Sequence, residues 1–194
     1  MAEQHRTYKN SNRTNLIEAG IQEINEHGIT GFSIRRVAAS CGLSCAAPAK
    51  HFGNRSGFLA AIIDYVNDLW AVEQDKILKA NEGSVRRQIV EESVGYVEFL
   101  VKNPHYRKIL MLKDDEFDNT YHKRNGDQSS PTQKLIAAYC EEQGLNETER
   151  TRKIYVIRSL IFGAAMMFEN GELDYTPAMM ELVRGCIDRE FDLA

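Results

Sequence analysis

The sequence is poor in the residues that build disulfide frameworks, metal sites and membrane spans. Its four cysteines include no Cys-x-x-Cys pair, and its five histidines include no His-x-x-x-His pair. No apolar run approaches the roughly 18 residues of a membrane-spanning helix, and the first thirty residues lack a signal-peptide core. We therefore expect reduced thiols, no metal or other cofactor, no membrane association and a cytoplasmic location.

Motifs of the common enzyme classes are also missing. The chain has neither a glycine-rich phosphate loop nor a nucleophile elbow, and no segment alternates convincingly as a strand would. Only the acidic run at 114–118, with His105 and His122 near it, offers metal ligands, and this run lacks a calcium-loop pattern. The sequence predicts an all-α protein that is not an enzyme. A small metal-dependent enzyme built on the 114–118 run remains an alternative.

What the sequence does contain is helical periodicity along almost all of its 194 residues. Together with glycine, proline and asparagine breaks, this pattern predicts about nine helices. Residues 1–12 are predicted to form a flexible arm, and the polar stretch at 113–130 is left without a predicted conformation. The predicted helices span about 13–27, 33–41, 45–52, 55–80, from the break at 81–84 to 102, 105–112, 131–144, 146–170, and from 177 onwards.

Residues 33–52 have the layout of two short helices joined by a tight turn. Gly42 stands where the chain must turn left-handed, because glycine takes a positive φ without steric cost. Ser33 can cap the helix before this turn, and Ser44 can cap the helix after it. The first helix has one apolar face, which comprises Ile34, Val37, Ala38 and Cys41. This arrangement is typical of a helix-turn-helix that reads DNA.

A preceding helix, which ends at His27-Gly28, completes a three-helix head. Its apolar stripe comprises Leu16, Ile17, Ile21 and Ile24. Charge agrees with this interpretation, because residues 1–60 carry seven Lys/Arg against four Asp/Glu. The rest of the chain carries seventeen against twenty-four, from totals of 24 and 28. A basic head on an acidic body is expected when only one end of a protein contacts phosphates.

In these features the sequence resembles the TetR-type (tetracycline-repressor) family of bacterial transcription regulators. The resemblance covers residues 12–65 and is carried by Ser33-Ile34-Arg35, Cys41-Gly42-Leu43-Ser44, and His51-Phe52 with Arg55. It implies a DNA-binding domain at 1–54 and a helical effector-binding and dimerisation domain at 55–194. The sequence departs from the family at Ala49, where a backbone-contacting Tyr is common, and at Pro48, which removes a backbone donor.

In such a head the second helix of the motif enters the major groove, so we expect most DNA contacts there. Lys50 is its strongest donor to a guanine or a phosphate, and the arginines suit phosphates. A cysteine at position 45 would open the helix, where the dipole favours a reactive thiolate. The predicted DNA-binding residues are Arg13, Ser33, Arg35, Ser44, Cys45, Ala46, Ala47, Ala49, Lys50, His51 and Arg55.

For the body, the resemblance implies a homodimer on a palindromic operator with half-sites about 34–36 Å apart or a multiple of this. The predicted dimer interface comprises Ile157, Leu160, Ile161, Ala164, Met179, Leu182, Val183 and Ile187. Aromatic and methionine side chains suit an apolar effector cavity. The candidates for its wall are Trp70, Tyr96, Phe99, Met111, Phe117, Tyr121, Tyr139, Phe162 and Met166. Both sets could instead pack the core of one chain.

The sequence therefore predicts a sequence-specific DNA-binding transcriptional regulator. The family resemblance implies a repressor that a small apolar or aromatic effector releases from its operator. Two other regulators remain open, one switched by a protein partner and one switched by oxidation of Cys45. A third alternative is a scaffold whose head no longer binds DNA, because Ala49 lacks the backbone contact of the family's Tyr.

Overall fold

The computed structural model describes residues 2–110 and 131–192, and within them all regular structure is helical. These ranges contain nine helices: α1 (Ala2–His27), α2 (Ile34–Ser40), α3 (Ala47–Phe52), α4 (Arg55–Ala80), α5 (Val85–Lys102), α6 (Pro104–Leu110), α7 (Pro131–Glu142), α8 (Glu147–Glu169) and α9 (Pro177–Arg189). The all-α prediction is confirmed. None of these helices combines the length and the apolar character that a bilayer span requires.

The helix boundaries depart from the prediction at two places that concern the head. The first helix begins at Ala2, so residues 2–12 are helical where the sequence predicts a flexible arm over residues 1–12. The third helix begins at Ala47 and not at residue 45, and it comprises only six residues. Elsewhere the predicted ends are accurate to within two residues. Residues such as Ser84 and Thr176 mark these ends in the sequence, because their hydroxyl groups accept hydrogen bonds from the first free N–H groups of a helix.

The chain divides into two compact units. The first contains the described residues up to Asp68 and those of α6 from His105, and the second contains Leu69–Pro104 and the described residues from 131 onwards. Helix α4 contributes residues to both. The predicted domain boundary after residue 54 stays a prediction.

The core of the first unit is formed by α1, α2 and the first half of α4. Its side chains that are less than 5% exposed include Leu16, Ile17, Ile21, Ile24, Val37, Ala38, Phe58, Leu59, Ile62 and Val66. Phe58 is the centre of an aromatic stack, with the Phe52 ring parallel to it at 4.1 Å and the Phe32 ring edge-on at 5.5 Å. Because Phe52 is the last residue of α3, this stack holds the short helix against the core.

Helix α5 is the central element of the second unit and packs against α7, α8 and α9. The last residues of the chain are held to this unit by charge. Arg86 of α5 donates to the carboxylates of Asp188 and Asp192, each at 2.7 Å. The buried Lys153 of α8 donates to the backbone oxygen of Glu190 at 2.8 Å.

Candidate functional site

The turn between α2 and α3 has the geometry that the sequence predicts. Ser33 caps α2, since its hydroxyl accepts from the N–H of Arg36 at 3.4 Å. Gly42 has a φ of +66°, and its N–H donates to the Ala39 oxygen at 3.0 Å. The N–H of Leu43 reaches back to the Ala38 oxygen at 2.9 Å. This pair of bonds closes α2 with a Schellman motif.

The start of α3 differs from the prediction in three ways. Ser44 does not cap the helix: Ala46 stands at the cap position and makes no side-chain bond to it. Cys45 lies exposed in the turn, two residues before the helix, so its thiol does not open α3. Pro48 lies at the beginning of the helix, where an N–H has no intrahelical partner, and its side chain is buried. Proline therefore costs α3 no hydrogen bond there.

The predicted contacts of the recognition helix lie at or near the surface of the first unit. Ala47 and His51 are half-buried, and the His51 ring lies 5.9 Å from the Phe52 ring. The other members between residues 44 and 50 are exposed: Ser44, Cys45, Ala46, Ala49 and Lys50. Since Pro48 and Phe52 face the core, α3 is held from one side and offers the other to a partner. The arrangement is that of a recognition helix on a fixed base.

The arginines predicted to contact phosphates have different surroundings. Arg35, at the start of α2, is exposed. Arg13 is also exposed, and its guanidinium lies 5.6 Å from the centre of the Phe52 ring, a cation–π distance. Arg55 is half-buried and donates to the backbone oxygen of Ile29 at 2.7 Å, so at least part of its guanidinium braces the loop after α1. The DNA contacts of all three stay predictions.

An ion pair between the buried Glu23 and the exposed Arg36 of α2 was not predicted. Glu23 of α1 is 7% exposed, and its Oε1 accepts from the Ser33 N–H at 3.0 Å and from the Arg36 Nε at 2.9 Å. Burial alone would raise the pKa of Glu23, but the hydrogen bonds from Arg36 and Ser33 outweigh it and lower the pKa. The signal in the sequence was position: Glu23 lies on the apolar stripe seven residues after Leu16.

Four of the predicted effector-wall residues come together in the second unit. The Trp70 ring lies 4.7 Å from that of Tyr96 and 5.4 Å from that of Phe99, and Tyr96 meets Phe162 edge-on at 6.4 Å. All four side chains are half-buried, so solvent reaches them. We call these four residues the aromatic cluster.

The other wall residues lie elsewhere. The Tyr139 ring packs on the Phe191 ring at 4.8 Å, apart from the aromatic cluster, and Met166 is 46% exposed. Three members fall outside the described residues: Met111, Phe117 and Tyr121. The acidic run at 114–118 and His122 also lie outside them, whereas His105 is exposed. The part of the chain that the structure describes holds no group of three His, Cys, Asp or Glu that could bind a metal.

A buried carboxylate lies beside the aromatic cluster and was also missed. Glu92 of α5 is 1% exposed, and its Oε1 accepts from the Gln74 amide and the Thr132 hydroxyl, each at 2.7 Å. Burial raises the pKa of Glu92 against the lowering effect of those two hydrogen bonds. Its Oε2 has no hydrogen-bond partner among the described residues.

The predicted dimer residues divide by their exposure in a single chain. Five of them are core residues of the second unit, each at most 8% exposed: Ile157, Ile161, Ala164, Val183 and Ile187. In the single chain these five side chains pack the core, and their part in a dimer interface stays a prediction. Leu182 is 58% exposed, and Leu160 and Met179 are half-buried. Three further apolar side chains on α8 are exposed: Tyr155, Met166 and Met167.

Comparison with known proteins agrees with this geometry. Residues 16–62, from α1 into α4, match the family model for bacterial regulatory proteins of the tetR family. The HTH-type transcriptional regulator BetI of Burkholderia lata is 24% identical over 181 residues, which is 91% of this chain and 92% of that relative. The match to BetI of Burkholderia ambifaria is 25% identical and spans 66% of that relative's length.

The fold is also similar to that of solved TetR family regulators. The crystal structure of a TetR family transcription regulator from Marinobacter aquaeolei VT8 superposes with a TM-score of 0.71 at 17% sequence identity. The match covers 95% of this chain and 97% of that chain, so the likeness includes the body as well as the head. The chain is therefore similar to the TetR family of DNA-binding transcriptional regulators, both in its head and in its fold.

Proposed function

We propose that the protein is a repressor that binds a palindromic operator as a homodimer and is released by a small-molecule effector. The proposal rests mainly on the exposed side of α3, which is held from below by Pro48 and by the stacking of Phe52 on Phe58. A rigid helix that offers its free side to a groove is the arrangement that helix-turn-helix proteins use to read bases. This function needs no catalytic chemistry and no cofactor.

Within this proposal the exposed basic residues contact different parts of the DNA. Lys50 is the strongest donor on the exposed side of α3, so we assign it a contact with a guanine edge or a phosphate. Arg13 and Arg35 are assigned phosphate contacts, which position the head and carry little sequence information. Because the rest of the exposed side is mainly alanine, cysteine and serine, specificity depends partly on thymine methyl groups and on DNA shape.

The second unit supplies the two remaining parts of the proposal. Exposed apolar side chains on α8 and α9, with Leu182 the most exposed of the predicted set, support an interface between two copies. The solvent-accessible rings of the aromatic cluster support an effector site. A bound effector must favour the conformation that does not bind DNA; about a 30-fold preference corresponds to about 2 kcal/mol of coupling.

Selection of DNA fragments by the purified protein tests this function. Genomic fragments that survive repeated rounds of binding should share an inverted repeat with half-site centres one helical turn, about 10–10.5 base pairs, or a multiple of it apart. Enrichment of a single unrepeated site would contradict the homodimer. No enrichment at low salt would contradict the repressor itself.

A further inference from the structure

Glu92 is a buried carboxyl group of the second unit, and one of its two oxygens lacks a hydrogen-bond partner among the described residues. Buried carboxylates are normally paired with a cation or bonded at both oxygens. The Oε1 of Glu92 meets this rule through Gln74 and Thr132, which are both neutral. Its Oε2 is buried and has no hydrogen-bond partner among the described residues.

The spacing of residues on two helices places this carboxylate next to the aromatic cluster. Tyr96 and Phe99 follow Glu92 on α5 by four and seven residues, so all three lie on the same side of the helix. On α4, Gln74 lies four residues after Trp70, and the two reach Glu92 and Tyr96 respectively. The rings therefore continue the surface on which the carboxylate lies.

The pKa of Tyr96 also reflects the proximity of Glu92 to the aromatic cluster. Burial is the main cause that raises the pKa of Tyr96 to about 12, and the negative charge of Glu92 adds to it. Arg158 acts in the opposite direction, and its guanidinium lies 5.8 Å from the centre of the Phe162 ring. Positive charge is thus already held against one edge of the aromatic cluster, at an exposed residue.

We propose that Glu92 and the aromatic cluster form a binding site for an organic ammonium cation. The ammonium donates to the free Oε2 of Glu92, and the apolar part of the cation lies against the rings of Trp70, Tyr96, Phe99 and Phe162. This inference rests on the proposed effector function and specifies its ligand class. It adds a positive charge to the small apolar or aromatic effector that the family resemblance implies.

The chemistry of the site separates three kinds of ligand. A cation gains from the carboxylate and from the negative faces of the rings. A neutral apolar molecule of the same shape fits the rings but leaves Oε2 without a donor. An anion meets like charge at Glu92. The ammonium is therefore the ligand class that supplies a donor to the Oε2 of Glu92 and also fits the rings.

Trp70 makes the test direct, because it is the only tryptophan of the chain and belongs to the aromatic cluster. The full-length protein is titrated with 2-phenylethylammonium chloride and, separately, with 2-phenylethanol, which has the same carbon skeleton without the charge. The fluorescence of Trp70 reports binding. We expect saturable binding of the ammonium that is about 10- to 100-fold tighter than that of the alcohol.

Glu92→Gln is the decisive variant, since the amide oxygen can still accept from Gln74 and Thr132 while the charge is lost. We expect the ammonium to bind this variant about as weakly as the alcohol does. Glu98→Gln is the matched control, because Glu98 is on the same helix and pairs with Lys102 at 2.7 Å; it should bind the ammonium like the parent. Circular dichroism verifies folding, and Glu92→Leu replaces Glu92→Gln if the latter does not fold.

Two results would overturn the cation site: equal affinity for ammonium and alcohol, or ammonium affinity that is unchanged in Glu92→Gln. Absence of any ammonium binding at millimolar concentration would overturn it as well. The same titrations repeated with operator-bound protein separate this inference from the proposed function. If the ammonium binds through Glu92 and DNA affinity does not change, the site is correct and the effector-release function is wrong.

Discussion

Single buried acids show how local chemistry shapes both units of this protein. Glu23 is bonded to a guanidinium and a backbone N–H, so its charge stabilises the head. Glu92 has only neutral partners on one oxygen and none on the other among the described residues, so its charge is costly. The pKa of the first is lowered and that of the second is raised, as these surroundings require. The charge of the first acid therefore stabilises the fold, whereas the charge of the second costs stability.

Replacement of Glu23 by Gln should destabilise the head. The variant loses the charge that holds Arg36 and Ser33, and hydrogen bonds to charged groups contribute about 1.5–3 kcal/mol each when buried. Because Arg36 is half exposed, solvent screens its bond to Glu23. We therefore expect the free energy of unfolding to fall by only about 1–2 kcal/mol in total. Urea unfolding followed by circular dichroism measures it. Glu26→Gln is the control, since Glu26 is 65% exposed, and a loss equal to that of Glu23→Gln would contradict this account.

The same pair predicts a dependence on pH. The pKa of Glu23 is lower in the folded state than in the unfolded one, so its stabilising effect is complete above its ordinary pKa, about 4.5. The effect is lost as the pH falls below that value towards the folded pKa. The difference in unfolding free energy between the parent and Glu23→Gln should therefore be constant from pH 6 to 8 and shrink below about pH 4.5. A difference that grows on acidification would contradict the assignment.

At the scale of elements, the joint between α3 and α4 depends on a close approach of backbones. Gly57, in the first turn of α4, donates its N–H to the Asn54 side chain at 2.8 Å. A Cβ at this position would lie well inside van der Waals contact of the Phe52 carbonyl oxygen. A glycine here allows α4 to begin directly beside the end of the recognition helix. The joint between α3 and α4 is thus tight.

Gly57→Ala should consequently lower the stability of the head and its affinity for DNA together. Backbone displacement of this kind costs about 1–3 kcal/mol, and thermal unfolding measures it. Gly185→Ala on α9 is the control, since a Cβ there meets nothing within 4 Å. In a helix, replacing glycine by alanine without a clash stabilises by about 0.5–1 kcal/mol. Equal effects of the two substitutions would refute the close-approach explanation.

The helices themselves could be predicted because capping residues mark where most of them begin. Ser33, Ser84 and the Asn146/Glu149 capping box each bond the first free N–H groups of a helix, as their positions indicate. The start of α3 was not predictable from its cap residue, because a buried proline and the stacking of Phe52 decide where that helix lies. Tertiary packing prevailed there over a serine that could have served as a cap.

The candidate sites were predictable only in part, for a physical reason. Residue type made Trp70, Tyr96 and Phe99 candidates, and the spacing of Tyr96 and Phe99 puts these two on one side of α5, but only the packing of α4 on α5 brings Trp70 to them. Glu92 lies on that side too, but a glutamate in a charged helix looks like a surface residue until the neighbouring helices are placed around it. The core position of Ile157 and Ile187 was ambiguous for the converse reason, because an apolar stripe does not say which surface covers it.

At the scale of the whole molecule, we predict a dimer with an interface on α8 and α9. Leu182→Glu places a charge on a side chain that is 58% exposed in the single chain, and it should convert the dimer to a monomer. Sedimentation equilibrium gives the mass directly. Val72→Glu is a closely matched control, because Val72 is 57% exposed on α4. A dimer that survives Leu182→Glu but not Val72→Glu would place the interface elsewhere.

The central claim is that the exposed side of α3 reads DNA, and fluorescence anisotropy with labelled duplexes tests it most directly. Duplexes from the DNA flanking the protein's own gene, or those enriched by selection, are titrated over a salt series with the parent, Lys50→Ala and Lys134→Ala. We predict saturable binding that strengthens at low salt. Lys50→Ala should weaken it by about 1–3 kcal/mol, whereas Lys134→Ala, an exposed lysine on α7 in the other unit, should bind like the parent. Equal binding by the parent and Lys50→Ala at every salt concentration would contradict the account.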